Sequence, residues 1–345
     1  MVASKTPDGT HRESFCLSDE FVYNEMVGAV TDPIPFCTLE ELRGVPHPFP
    51  YQGSKRYLAN AIIPLIPEGV SRLIEPFCGS AAVSIASRYT HRVSRIVLAD
   101  INAPLVELWN SIIDAPDALV EEYGRMWEEQ LSDPRDYFMH VRARFNEEPN
   151  PSGLLYLMNR IVKGSIRYGK DGRFNQSADN RRLGARPQVV SARIHGVSNL
   201  MQGTQVFAKD YAEIVADAKT DDLVYMDPPY QGTSNNADRR YAAGLQREDY
   251  EMVLDEMNHR KLSYMVSYDV VDAQDTYGKR LSDDLGLTHL HLCAGTSTQA
   301  TLLGKKKKTV ESLYLSPALV DRLGGGERIP SLLNPHAEQQ EELFG

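Results

Sequence analysis

The chain has 345 residues, of which 42% are hydrophobic and 24% are charged, as in an ordinary soluble globular protein. No apolar run reaches the roughly 18 residues of a membrane span, and the N-terminus lacks the apolar core of a signal peptide, so we expect a cytoplasmic protein. The net charge of −10 argues against binding of nucleic acid, but it is an average over the whole chain, and binding depends on where the positive charges lie. Scattered cysteines and histidines predict neither a disulfide framework nor a metal site.

Short apolar strands alternate with helix-like segments from Pro50 onwards. The predicted strands cover residues 70–77, 95–100, 204–210, 222–230, 262–268, 288–294 and 309–316. Strand–helix alternation predicts a mostly parallel α/β sheet. The short, turn-rich connection between the last two strands predicts an antiparallel hairpin at one edge of that sheet.

The alternation stops between residues 115 and 203, which predicts an inserted, mostly helical domain. The catalytic domain would then consist of residues 47–114 and 204–320. Residues 1–46 are an extension to which the sequence assigns no role, and residues 321–345 are predicted to be a flexible acidic tail.

The predicted insert carries a local excess of positive charge. Between Leu157 and Arg193 there are nine basic and two acidic residues, a local charge of +7. A solvated basic face would explain such a run, and so would a surface that binds nucleic acid.

Two short motifs stand at the ends of the first two predicted strands, where α/β folds bind their ligands. The turn Gly79-Ser80 permits close approach of a ligand to the backbone, although a plain tight turn would look the same. Asp100 follows about twenty positions later, and such an acid can accept hydrogen bonds from both hydroxyls of a ribose. A helix N-cap is the alternative for Asp100.

A third motif, Asp227-Pro228-Pro229-Tyr230, ends the strand at residues 222–226. An adenine amine is a poor nucleophile because its lone pair is delocalised into the ring. Asp227 and the Pro228 carbonyl could accept both amine hydrogens and localise that lone pair, while Tyr230 could stack on the base at about 1–3 kcal/mol. A proline-rich turn explains the two prolines but not the flanking Asp and Tyr.

Residues 48–317 resemble the Dam-like DNA adenine N6-methyltransferases of the alpha group, the D12 class. Residues 51–55, 75–80, 98–102 and 207–211 are similar to the family's cofactor motifs, and the DPPY motif matches in full. The resemblance implies S-adenosyl-L-methionine as cofactor, with Asp210 accepting from its adenine amino group and Tyr211 beside the ring. The cofactor residues that it predicts are Tyr51, Gly53, Lys55, Glu75, Pro76, Phe77, Gly79, Ser80, Asp100, Ile101, Asn102, Asp210, Tyr211 and Asp227.

The resemblance also implies that a hairpin in the insert, within residues 166–175, reads the target bases of double-stranded DNA. Arginine suits guanine and asparagine suits adenine, and other basic residues would hold phosphates. The DNA-binding residues predicted in this way are Arg160, Lys163, Arg167, Tyr168, Lys170, Arg173, Asn175, Arg181 and Arg182. Lys163-Gly164-Ser165 is one residue shorter than the familiar pattern, so the resemblance does not specify the target sequence.

The sequence therefore predicts methyl transfer to N6 of an adenine flipped out of a specific DNA site, with a loop at residues 231–246 that orders on DNA. Cytosine N4, RNA adenine or a glutamine amide is the alternative acceptor, and Asp227 favours adenine. An inactive DNA-binding protein with the same fold is a second alternative, and a nicotinamide enzyme is disfavoured because GxGxxG is missing. A partner restriction endonuclease or other defence-system partner, and the oligomeric state, are left open.

Overall fold

The computed structural model describes residues 34, 36–229, 245–271, 276–277, 280–296 and 308–335. Most of the predicted extension, the end of the predicted tail and most of the predicted loop at 231–246 lie outside these residues. In the described part, the strands are β1 Leu73–Glu75, β2 Ile96–Ala99, β3 Gln205–Phe207, β4 Leu223–Met226, β5 Ser263–Val271, β6 Thr276–Tyr277, β7 Thr288–Thr296 and β8 Lys308–Leu315.

The strands form one sheet in the order β3-β2-β1-β4-β5-β8-β7, and the short β6 pairs with β5. The first five strands of this order pair in parallel, whereas β8 is antiparallel to both β5 and β7. The predicted Rossmann-like sheet with an antiparallel edge hairpin is thereby confirmed. The chain leaves β1 for β2 on one side and later returns to β4 on the other, so β1 and β4 flank the switch point at which such sheets bind ligands.

Successive residues of the central strands face two separate hydrophobic cores. Leu73 and Ile96 belong to one core, and their neighbours Ile74 and Val97 belong to the other. This alternation follows from the two-residue period of a strand. Because both faces are covered, β2 and β4 are apolar and buried along their whole length, as is usual for parallel strands.

Helices cover both faces of the sheet. Those of the described part are α1 Ala59–Ile62, α2 Ala82–Tyr89, α3 Ala103–Asp114, α4 Pro116–Glu129, α5 Pro134–Glu147, α6 Pro151–Arg160, α7 Pro187–Met201, α8 Tyr211–Ala216, α9 Arg247–His259, α10 Pro317–Leu323 and α11 Ile329–Leu333. None of these helices is both long and apolar enough to cross a bilayer.

The predicted insert is mostly helical, from α4 to α7. Each of these helices has proline in its first turn. Proline is tolerated there because the backbone N–H that it lacks would have no acceptor within the helix. Asp133 and Asn150 cap α5 and α6 by accepting hydrogen bonds from backbone N–H groups. The separation of this region as a domain of its own stays a prediction.

Parts of the predicted extension and tail are packed against the sheet domain. Ile34 pairs in parallel with Leu292 of the edge strand β7, and Leu39 N–H donates to Asn60 Oδ1 over 2.8 Å. Residues 321–335 differ from the predicted flexible tail, because Ile329 and Leu333 lie one helical turn apart and are both buried in the core.

Candidate active site

Two adjoining clefts open at the carboxyl ends of the central strands. Phe77 and Pro229 line both clefts, whose empty volumes are about 590 and 940 Å³ including the part open to solvent. The first cleft is also lined by Tyr51, Gly53, Lys55, Glu75, Gly79, Ser80, Asp227 and Pro228. The second is also lined by Pro76, Ile101, Lys209, Asp210, Tyr211, Gln246 and Asp249.

The turn at Gly79 packs tightly against Tyr51. Gly79 has φ +46°, and a Cβ atom at this position would lie 2.8 Å from Cε1 of the Tyr51 ring. Trp109 Nε1 donates to the Gly79 carbonyl over 2.9 Å, and Ser80 Oγ donates to Ser54 Oγ over 3.0 Å. The turn therefore needs glycine for its backbone conformation and for the close approach of Tyr51.

Asp100 is buried beneath this turn instead of lining either cleft. Its carboxylate accepts from Gly79 N–H over 3.2 Å and from Asn102 N–H over 2.9 Å. Burial raises the pKa of Asp100 to about 6, although these backbone hydrogen bonds favour the charged form. In this structure the carboxylate fastens the glycine turn of β1 to the loop that follows β2.

Glu75 is the most deeply buried acid of the first cleft. Its Oε2 accepts from Ser84 Oγ over 2.5 Å and from Ser84 N–H over 3.2 Å. Burial raises the pKa of Glu75 to about 8, the hydrogen bonds from Ser84 oppose that rise, and the charge of Asp227 adds to it. The raised pKa favours the protonated form of Glu75 near neutral pH.

Asp227 follows β4 and lines the first cleft with 20% of its side chain exposed. Its Oδ1 lies 3.1 Å from Nζ of Lys55, which is itself 3.7 Å from Oε2 of Glu311. Pro228 is buried and Pro229 is half-buried, whereas Tyr230 lies outside the described residues. In this ion pair Lys55 is buried, whereas 20% of the Asp227 side chain remains exposed, so the carboxylate can be reached from the cleft.

Aromatic rings form one wall of the second cleft. Phe77 and Tyr211 stack with their centroids 5.1 Å apart, and Tyr250 lies 5.5 Å from Tyr211. Asp210 caps α8 by accepting from Ala212 N–H over 2.9 Å. The second cleft thus combines a flat apolar surface with a carboxylate at its edge.

The segment at residues 167–175 is a short hairpin. Gly169 N–H donates to the Arg173 carbonyl over 2.8 Å, Asn175 N–H donates to the Arg167 carbonyl over 3.2 Å, and Gly172 turns with φ +73°. Six of the predicted DNA-binding residues are exposed here and just beyond: Arg167, Lys170, Arg173, Asn175, Arg181 and Arg182. Arg181 makes an ion pair with Asp179 at 2.9 Å.

Two other predicted DNA-binding residues have partners inside the protein. Tyr168 OH donates to Asn102 Oδ1 over 3.3 Å, which joins the hairpin to the loop after β2. Arg160 is only 2% exposed and donates to Gln130 Oε1 and, over 3.3 Å, to Tyr156 OH, so it does not reach the surface of the hairpin. The Lys163 side chain lies outside the described set.

Sequence reasoning missed the partners of the site residues. Nothing in the local pattern of β8 marks Glu311, and Lys55 was predicted only as a cofactor residue. Beneath Asp227, Tyr225 OH and Ser267 Oγ lie 2.9 Å apart in a buried hydrogen bond. Within the described ranges, no group of three His, Cys, Asp or Glu residues is placed to hold a metal ion.

Comparison with known proteins identifies the family. The DNA adenine methylase of Vibrio cholerae is 28% identical over 198 residues, which is 56% of this chain and 68% of that protein. The retron Ec67 DNA adenine methylase of Escherichia coli is 28% identical over 189 residues, 53% of this chain and 63% of that protein. The DNA adenine methylase of Escherichia coli K12 is 28% identical over 191 residues, 54% of this chain and 66% of that protein.

A solved structure, the precorrin-6y C5,15-methyltransferase of Geobacter metallireducens, aligns with 81% of this chain and 93% of that chain at 11% identity. Its TM-score of 0.28 is too low to add to the fold described above. The model of the family described as D12 class N6 adenine-specific DNA methyltransferase matches residues 51–296. This match spans more than half of the sequence, and the chain therefore belongs to the D12 class of N6 adenine-specific DNA methyltransferases.

Proposed function

We propose that this protein transfers a methyl group from S-adenosyl-L-methionine to N6 of an adenine that has rotated out of a specific site in double-stranded DNA. The observation that carries the proposal is the placement of Asp227. Its carboxylate stands at the end of β4 in a cleft that adjoins a second, aromatic-walled cleft through Phe77 and Pro229. An acceptor for an amine thus lies beside a space that suits a nucleoside.

The residues of the two clefts fit S-adenosyl-L-methionine. At the second cleft, the carboxylates of Asp210 and Asp249 outnumber the ammonium of Lys209 and supply negative charge for a cationic ligand. The charge of Asp227 at the first cleft is offset by its ion pair with Lys55. The Phe77 and Tyr211 rings offer a stacking surface for an adenine, and Asp210 offers an acceptor for its amino group. Gly79 leaves open the space that a Cβ would occupy.

The bound donor supplies a methyl group on a sulfonium: the N6–C bond forms as the C–S bond breaks, its electron pair stays on sulfur, and N6 loses one proton. Asp227 and the Pro228 carbonyl accept the two N6 hydrogens, so the lone pair of the amine is aimed out of the ring plane. The carboxylate of Asp227 is the first acceptor of the departing proton. Holding donor and acceptor in line lowers the barrier because it removes the entropy cost of aligning them.

The exposed residues of the hairpin are proposed to hold the DNA. A target adenine is stacked and paired inside the duplex, so it has to leave the helix to reach Asp227. The guanidinium of Arg173 and the side-chain amide of Asn175 can form hydrogen bonds with base edges, and Lys170 and Arg182 neutralise phosphates. A partner endonuclease stays a prediction.

The deciding experiment replaces Asp227 by Ala. Loss of the acceptor should lower kcat by at least about 10²–10³-fold, the usual cost of removing one preorganised transition-state contact. Mass spectrometry of digested, unmethylated plasmid DNA after incubation with labelled donor measures N6-methyladenine directly. Asp255→Ala makes the same chemical change on the exposed side of α9 and should keep wild-type activity.

A near-normal rate for the Asp227→Ala protein would refute the proposed role of Asp227. N4-methylcytosine in the digested DNA would show that the wild-type acceptor is cytosine, and methylation of RNA alone would exclude DNA as the substrate. The melting temperature of the Ala variant should fall, because the buried Lys55 ammonium loses the carboxylate at 3.1 Å. DNA binding should stay at its wild-type value, which separates loss of chemistry from loss of fold.

A further inference from the structure

The ammonium of Lys55 lies between two carboxylates that come from different strands. Nζ is 3.1 Å from Asp227 Oδ1 and 3.7 Å from Glu311 Oε2. The Lys55 side chain is 8% exposed, and Glu311 is 22% exposed. Glu311 belongs to β8, which is separated from β4 by β5 alone, so sheet pairing holds the two carboxylates on either side of the lysine.

Glu311 Oε2 is a buried acceptor with spare capacity. Within the described part of the chain this atom makes no hydrogen bond, although it faces the ammonium. A buried carboxylate oxygen without a hydrogen bond is costly, and its use in another state of the protein is one explanation for it. Lys55 Nζ, 3.7 Å away, is a donor that could use it.

The ion pair at Asp227 conflicts with the proposed chemistry. An oxygen that accepts from the Lys55 ammonium has less capacity to accept from an adenine amine. Lys55 is only 8% exposed, so an ammonium that moves away from Asp227 has to stay close to another carboxylate, because an uncompensated buried charge is strongly destabilising. The conflict disappears if a second carboxylate receives the ammonium as the base arrives.

We propose that Glu311 is a positioning residue that receives the Lys55 ammonium when the target adenine engages Asp227. The inference rests on the proposed methyl transfer at Asp227. A shift of roughly 1 Å along the flexible lysine stem brings Nζ to about 2.8 Å from Glu311 Oε2, the length of a charge-assisted hydrogen bond. In the resting enzyme, Lys55 forms its shorter ion pair with Asp227. When Asp227 binds the amine, Lys55 forms its shorter ion pair with Glu311 instead.

The test compares Glu311→Gln with wild-type enzyme in single-turnover and steady-state assays, using tritiated S-adenosyl-L-methionine and unmethylated plasmid DNA. Glutamine keeps the shape of the side chain and removes the charge. The rate of methyl transfer should fall about 10- to 100-fold, the size of effect expected from a misplaced catalytic group, while KM for DNA and for the donor stays within about twofold. Glu311→Asp should recover much of the rate, and Glu256→Gln on the exposed face of α9 should match wild type.

A double-mutant cycle distinguishes action through Lys55 from a general structural role. In a Lys55→Met background, Glu311→Gln should cause no further loss, because its partner is already gone. Multiplicative losses in the double variant would overturn the inference. So would a wild-type rate for Glu311→Gln, or a lowered melting temperature that Glu311→Asp does not restore.

Failure of the inference and failure of the proposed function give different results. If wild-type enzyme methylates DNA and Asp227→Ala does not, the proposed function stands whatever Glu311→Gln does. If wild-type enzyme transfers no methyl group to DNA, the proposed function fails and the role of Glu311 fails with it.

Discussion

Replacing Gly79 by Ala tests whether the turn after β1 shapes the first cleft, where we propose that the methyl donor binds. The substitution places a Cβ 2.8 Å from Cε1 of Tyr51, whereas carbon atoms in good contact lie about 3.5–4.0 Å apart. The ring must therefore move by roughly 1 Å. Tyr51 and Gly79 line the same cleft, and the ring centroids of Tyr51 and Phe49 lie 6.2 Å apart. Moving the Tyr51 ring therefore changes the wall of the cleft.

The expected magnitudes follow from two separate costs. A residue with a Cβ loses about 1–2 kcal/mol in the left-handed region, where Gly79 stands at φ +46°. This loss should lower the melting temperature by roughly 2–4 °C per kcal/mol. The displaced ring should additionally weaken binding of S-adenosyl-L-methionine by at least about tenfold, equivalent to about 1.4 kcal/mol.

Calorimetric titration with S-adenosyl-L-methionine and thermal unfolding measure the two costs separately. Gly69→Ala is the matched control: Gly69 has φ +74°, and a Cβ there meets nothing within 4 Å. It should lose stability and keep donor affinity, whereas Gly79→Ala should lose both. Wild-type affinity in Gly79→Ala, or an equal loss of affinity in Gly69→Ala, would refute the reasoning.

Three further predictions concern buried and exposed charges. Burial raises the pKa of Glu75 from 4.5 to about 8, so between these pH values the native state keeps a proton that the unfolded chain releases. The free energy of unfolding should therefore fall as the pH rises from 4.5 to about 8. Glu75→Gln should flatten that fall in urea titrations, and an equally steep fall would contradict the assignment. Arg160→Met should lower the free energy of unfolding by about 1–3 kcal/mol without changing DNA affinity, because it removes the buried hydrogen bonds of the guanidinium to Gln130 and Tyr156. Arg173→Met should weaken DNA binding at unchanged stability; electrophoretic mobility shifts showing the reverse would contradict both assignments.

The strands and their order of appearance could be predicted because their signals are local. Leu223–Met226 is an uninterrupted apolar run, as expected for a parallel strand buried on both faces. The residues that follow such strands converge at the switch point, so Glu75 and Asp227 could be assigned to one site from their positions alone.

Burial of individual charged residues could not be predicted in the same way. Arg160 belongs to a run of basic residues, yet it is buried because Gln130 from α4 and Tyr156 one turn earlier on α6 receive its guanidinium. The ribose contact of Asp100 stays a prediction, and the sequence does not reveal that its carboxylate lies under the glycine turn, where it accepts from backbone N–H groups. Both outcomes depend on which helices and loops pack together, and charge patterns along the chain do not contain that information.

By itself the sequence determined the succession of strands and helices, the motifs at the strand ends and the kind of chemistry that an aspartate before two prolines can perform. These features depend on residues that are neighbours along the chain. Only the tertiary structure decided that Lys55 sits between Asp227 and Glu311. That arrangement exists because β8 returns antiparallel beside β5, which brings residues far apart in sequence to within a few ångströms of one ammonium group.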